Sequence, residues 1–331
     1  MVKSILIVSL FSSTVFAALT PNPQMKKVLD KLDEKGARPV EHLSVEEARE
    51  QPSAPEAVKA IAPKPKDNLA EVKDIKIQGA DGKLKARLYR PKGKGPFPVV
   101  VYYHGGGWVL SDIDTYDATP RSLAAKTNAI FIAVEYRRAP EDRFPAAHDD
   151  AFAAYQWVLK NAMTFDGDPK KIAVAGESTG GNLALNVAIM ARDQSLQIPI
   201  HELLIYPVAS TKMNTSSYKI NGDAKPLNKA KMNWYFSKYL RSPQDKEDPR
   251  IDLLKASFRG LSPATIITAE IDPLQVEGRE LAEKMERQGV EVTYRNYEGV
   301  THEFFGMTGV LKEAQEAQNE ASLKLQKSFG K

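Results

Sequence analysis

The 331-residue sequence contains no cysteine. That excludes a disulfide-stapled scaffold, a thiolate zinc site, an iron–sulfur cluster and a cysteine nucleophile, and it leaves no thiol to carry a lipid anchor. Charge of one sign is also scarce. Forty-six Lys and Arg stand against 42 Asp and Glu, a formal +4 spread along the chain, which argues against nucleic acid as the main partner. Glycine and proline, at 20 and 21, are too few for a collagen-like or low-complexity chain. Hydrophobic residues, at 42%, are too many for a disordered one. The length allows one large domain or two small ones, and either buries an ample core.

Residues 1–20 carry Lys3, then a mostly apolar run from Ile5 to Phe16, then Val15-Phe16-Ala17 with small residues three positions and one position before a cut after Ala17. This is the layout of a secretory signal peptide. The alternative, a membrane anchor, needs about 20 apolar residues; this run is shorter and interrupted by serines. The expectation is a 1–17 leader, a mature chain beginning at Ala18, and export to the periplasm or the medium without a stable membrane anchor.

Met25, Val28, Leu29 and Leu32 recur at helical spacing, and Ser44 with Glu47 reads as a capping box opening a second short helix. Residues 51–66, rich in proline, read as an extended linker. Asp74–Gln78 and Lys83–Tyr89 alternate apolar and polar around a Gly-Ala-Asp-Gly turn, the pattern of a hairpin. Six apolar strands follow: Val99–Tyr103, Ala129–Val134, Ile172–Ala175, Leu203–Tyr206, Thr265–Ala269 and Val290–Tyr297. Amphipathic helices near 116–127, 146–161, 180–193, 275–288 and 311–327 separate or follow them, which predicts an α/β fold with a mostly parallel sheet covered on both faces. Residues 209–258 break the rhythm. They contain scattered aromatics and no strong strand, and an insertion of that size reads as a lid or cap.

Three segments carry chemistry. Gly176-Glu177-Ser178-Thr179-Gly180 follows a buried strand and precedes a helix-prone stretch, which turns a weak G-x-S-x-G match into a candidate nucleophile elbow exposing Ser178. His104-Gly105-Gly106-Gly107-Trp108 follows another strand. Its bare backbone suits an oxyanion hole with the amides of Gly105, Gly106 and Thr179 as donors. A phosphate loop is the competing reading, but no G-K-[ST] follows and the glycine spacing differs. Of the five histidines, at 42, 104, 148, 201 and 302, only His302 stands in a loop directly after the last strand, where catalytic groups gather in open α/β sheets. Asp272, before Pro273 at the end of the preceding strand, is the favoured acid; Glu270 is its rival, and a plain helix cap is the structural alternative. The order Ser178, Asp272, His302 is that of α/β-hydrolases. Glu141 and Asp149-Asp150 read as scaffold, and His148-Asp149-Asp150 lacks metal-site spacing.

These segments together resemble the hormone-sensitive-lipase-like (bacterial family IV) serine esterases. The resemblance rests on His104-Gly-Gly-Gly107, the elbow with Gly181-Asn182, Asp272-Pro-Leu274, His302, and a block of Tyr136-Arg-Arg-Ala-Pro-Glu141 with Phe144-Pro-Ala-Ala147. It runs from about Pro23 to Phe329. It implies an α/β-hydrolase fold with an eight-stranded sheet and a helical cap built from 18–66 and 209–258. It also implies a cofactor- and metal-independent carboxylesterase acting on short- to medium-chain acyl esters. His104 and Gly107 would support the glycine loop. A peptidase or amidase, or a non-catalytic binder of the same fold, are the alternatives. Arg138 stands where Leu is usual, Glu177 and Thr179 where Asp and Ala are commonest, and Val276 where an acid is usual; Val276 would loosen the Asp272 loop. Some relatives dimerise through the last strand edge. Val290–Tyr297 has the alternation for a homodimer contact, blunted by Glu291 and Arg295.

Overall fold

The computed structural model describes residues 19–62 and 68–330. The leader expected at 1–17 and the end of the expected linker lie outside the described residues. In chain order the regular elements are helices α1 (Pro23–Glu34), α2 (Val45–Arg49) and α3 (Ala54–Ile61); strands β1 (Leu69–Gln78), β2 (Lys83–Pro91) and β3 (Phe97–Tyr103); α4 (Ala118–Thr127), β4 (Ile130–Val134), α5 (Ala146–Asn161), β5 (Gly167–Glu177), α6 (Thr179–Asp193) and β6 (Glu202–Ile205); the inserted helices α7 (Ser216–Ile220) and α8 (Lys229–Tyr239); then β7 (Ala264–Ile271), α9 (Gln275–Arg287), β8 (Val292–Thr301) and α10 (Lys312–Ser328).

The eight strands form one sheet in the order β1-β2-β4-β3-β5-β6-β7-β8. Only the pairings of β2 with β1 and β4 are antiparallel; all others are parallel. The central strands are apolar on both faces because both faces are covered. Val99, Val101 and Tyr103 of β3 point to the side packed by α5, α6 and α9, while Val100 and Tyr102 point to the side packed by α4 and α10. The C-terminal ends of β3, β5, β7 and β8 therefore open on one edge of the sheet, and the residues that follow them meet there.

The N-terminal helices read from the sequence are present, with Met25, Val28 and Leu32 buried. Asn22 caps α1, and Ser44 and Glu47 form the expected capping box on α2. The linker expectation is corrected. Residues 54–61 are helical, because Ser53 and Glu56 make a second capping box and Pro55 falls in the first turn, where a missing N–H costs no hydrogen bond. The last strand also runs further than its alternation showed, to Thr301, so that His302 follows it immediately. No described helix is long and apolar enough to cross a membrane.

Candidate active site

β5 ends in Gly176-Glu177, and Ser178 turns the chain into α6 with φ 57° and ψ −119°, a strained conformation for a residue with a side chain. Close approach makes the flanking glycines necessary. A Cβ on Gly176 would lie 2.1 Å from the Gly180 carbonyl oxygen, and one on Gly180 would lie 2.0 Å from that of Tyr103. The strain is held by the frame: the Ser178 amide donates to Ile205 O, and Ser178 O accepts from Gly181, Asn182 and Val208 amides.

Ser178 Oγ lies 3.0 Å from His302 Nε2, and His302 Nδ1 lies 2.6 Å from Asp272 Oδ2. The arrangement makes Nδ1 the donor to the carboxylate and leaves Nε2 to accept from the serine. All three side chains are buried. Asp272 is fixed by the Leu274 amide on its other oxygen. Its backbone is braced by the insertion: Asn221 Nδ2 donates to the carbonyls of Glu270 and Asp272, and Ser217 Oγ donates to Pro273 O while accepting from the Val276 amide. The loosening expected from Val276 is thus met by a backbone brace. Glu270, the rival acid, points elsewhere and accepts from the Gly299 amide.

The glycine loop runs beneath the elbow. Among the described residues the Gly105 and Gly106 amides find no acceptor, and the Thr179 amide is among the first of α6, which have no partner within the helix. His104 is fully buried, stacked on Tyr136 at 4.3 Å, with Nδ1 2.7 Å from Gly105 O. Burial lowers its pKa and favours the neutral ring. Tyr136 donates to His104 O. Arg138, unusual at its position, donates from Nη1 to Ser111 O and ties down the far end of the loop. Gly107 (φ 67°) lies under Tyr235 of α8, where a Cβ would come within 2.1 Å of the ring.

Other residues singled out in the sequence are structural. Asp150 is buried and receives Arg137 and the Ala80 amide. Glu141 pairs with Arg49 at 2.7 Å, and that guanidinium holds its pKa down to about 2. His148 bridges Tyr239 OH and Asn182 Oδ1, while His201 bonds Thr265 and Ser328. His42 ends a short 3-10 turn in the N-terminal segment.

Sequence reasoning placed Glu177 in the elbow but missed what it does there. Its buried carboxylate accepts from Tyr102 OH at 2.5 Å and from Tyr206 OH, and the Tyr206 ring packs 4.5 Å from His302. Burial raises the Glu177 pKa, and the two tyrosine donors oppose that shift. Glu177 therefore fixes the ring against which the imidazole rests. Tyr206 was legible only as a strand end. Glu303, Lys231 and Tyr235, which border the cavity beside His302, carried no motif at all.

Comparison with known proteins agrees with this geometry. A family model described as alpha/beta hydrolase fold matches residues 100–306. The carboxylic ester hydrolase LipN of Mycobacterium tuberculosis is 38% identical over 72% of this chain and 65% of its own length. The ethyl acetate hydrolase of Pseudomonas putida is 35% identical over 84% of this chain and 88% of its own. The hyperthermophilic esterase of Pyrobaculum calidifontis superposes with a TM-score of 0.88 at 35% identity, covering 94% of this chain and 99% of that one. The chain belongs to the alpha/beta-hydrolase-fold family, in its hormone-sensitive-lipase-like branch.

Proposed function

We propose that this protein is a serine carboxylesterase that hydrolyses small acyl esters through an acyl-enzyme. The observation that carries the reading is the line Ser178 Oγ–His302 Nε2–Asp272 Oδ2, at 3.0 and 2.6 Å, beside a glycine loop with unpaired amides. Its relatives named as ester hydrolases support the same activity. Ser178 Oγ attacks the ester carbonyl as its proton passes to His302 Nε2. Asp272 holds the ring and stabilises the imidazolium. The Gly105, Gly106 and Thr179 amides receive the oxyanion, each worth about 10²–10³ in rate if typical of such donors. His302 returns the proton to the leaving alcohol. Water then attacks the acyl-enzyme with His302 again as base, releasing the acid and restoring Ser178. His104 and Gly107 act by shaping the loop.

Release of p-nitrophenol from acetate and butyrate esters, with Ser178→Ala as control, tests the assignment; comparable turnover by the variant would overturn it. An acyl-length series tests the short- to medium-chain preference; a maximum above ten carbons would overturn it. The reading extends to a cap formed by 18–66 and 209–258, supported by the bracing of the Asp272 loop from α7 and the seating of Tyr235 on Gly107. We also propose export with removal of 1–17, supported by the leader pattern; a mature chain still beginning at Met1 would overturn it. A homodimer through the β8 edge is the proposed assembly, supported by the edge position of that strand. A monomeric mass in solution would exclude it.

A further inference from the structure

The cavity beside His302 is bounded by the N-terminal segment, the end of the glycine loop, α8 and Glu303. At about 240 Å³ it lies below the ~300–1,000 Å³ of sites for drug-sized ligands, so it takes only a small part of a substrate. It adjoins the candidate site on two sides. Glu303 is the next residue after His302, and Tyr235 lies on Gly107.

Some charged groups at its rim are paired. Arg49 binds Glu141, and Lys225 binds Asp33 at 2.7 Å. Four are not, among the described residues: Glu56, which accepts the Ser53 amide, and Glu41, Lys231 and Glu303, from three segments. Lys231 Nζ, with three protons to donate, makes one hydrogen bond, to Pro226 O at 3.2 Å, and lies 5.8 Å from the centre of the Tyr235 ring. Glu303 receives only Tyr116 OH, at 3.4 Å, and Glu41 Oε2 is buried with no partner. Glu303 also sits at φ 70°, a left-handed conformation unusual for a residue with a side chain. Burial lowers the Lys231 pKa, and Glu303 and then Glu41 pull it back up, so the three groups share one electrostatic neighbourhood.

Lys231 and Glu303 keep hydrogen-bonding capacity for water or for a polar ligand. An alkyl chain would displace water and strand them, at a cost for each desolvated polar group. A carboxylate would meet two acids, and an ammonium would meet Lys231. A neutral group that both donates and accepts fits all three. We propose that this cavity is a specificity subsite for hydroxyl-bearing esters, such as acylated polyols or hydroxyacyl esters, with Lys231 and Glu303 reading the hydroxyls. The proposal rests on the esterase reading and deepens it.

Two matched pairs of substrates test it: glyceryl monoacetate against propyl acetate, and ethyl 3-hydroxybutyrate against ethyl butyrate. The wild-type enzyme is expected to favour the hydroxylated member of at least one pair by tenfold or more in kcat/KM, chiefly through KM. Lys231→Met and the near-isosteric Glu303→Gln are each expected to reduce that ratio at least fivefold. Wild-type preference for the alkyl member in both pairs would overturn the subsite, as would ratios unchanged in Glu303→Gln, which keeps the side-chain shape if Lys231→Met fails to fold. p-Nitrophenyl acetate separates the two readings. Its turnover by wild type with no hydroxyl preference refutes the subsite alone, whereas its absence refutes the esterase reading and the subsite with it.

Discussion

The sheet edge and the proposed cap treat polar groups in opposite ways. At the edge, Ser178, Asp272, His302 and Glu177 are buried and each is hydrogen-bonded to a partner of fixed geometry. In the N-terminal segment and α8, Glu41 Oε2 is buried without a partner and Lys231 meets only Pro226 O and the Tyr235 ring. A buried polar network tolerates no missing member, because each orphaned group keeps its desolvation cost. Groups without such fixed partners can change one at a time. The contrast teaches that the reaction belongs to a frame that cannot vary, whereas the proposed subsite lies on a surface that can.

The largest expected effect breaks the frame at its centre. Ser178→Ala should lower kcat by about 10⁶, because members of such a triad act as a unit; single-turnover assays against p-nitrophenyl butyrate check it. Asp272→Asn should cost about 10⁴ by presenting the wrong partner to His302 Nδ1. Glu270→Gln, whose target is the Gly299 amide, should cost far less. Equal losses for the two would remove Asp272 from its role.

The next effect tests the joint between the two regions. His148 on the frame contacts Tyr239 of α8, and burial lowers its pKa to about 4; His201, also buried, is likewise lowered to about 4. Between pH 6.5 and 4 the unfolded chain binds more protons at both histidines than the folded one. Stability is therefore full above pH 6.5 and falls as the pH drops towards 4, by roughly 3 kcal/mol per histidine at most. Thermal melts across that range should fall in wild type, and the fall should be shallower in His148→Gln; parallel curves would refute it.

Smaller changes sharpen the contrast. Tyr206→Phe removes one of two tyrosine donors from buried Glu177 and should cost about 1–3 kcal/mol of stability, read as a lower denaturant midpoint. Arg49→Ala removes the link from α2 to Glu141 and to the carbonyls of Val109 and Ala139. Partly exposed, it should cost about 1 kcal/mol and speed proteolysis of the N-terminal segment. If Arg49→Ala proved the costlier of the two, the division between rigid frame and tolerant cap would be wrong.

The sequence by itself determined the sheet, the elbow and the order of the triad. Apolar β-branched runs, the glycines around Ser178 and the positions of Asp272 and His302 after strands are local signals, and local sterics impose them. It misread 54–61 because proline clustering hides a helix whose first turn simply needs no N–H from Pro55. Only the tertiary structure decided which groups are satisfied. Glu177 meets Tyr206, separated by 29 positions, and Arg138 meets Ser111, 27 positions upstream. Glu41, Lys231 and Glu303 converge on one cavity from three segments without binding one another. Hydrogen bonding and burial depend on distances across the fold, and no spacing along the chain encodes them.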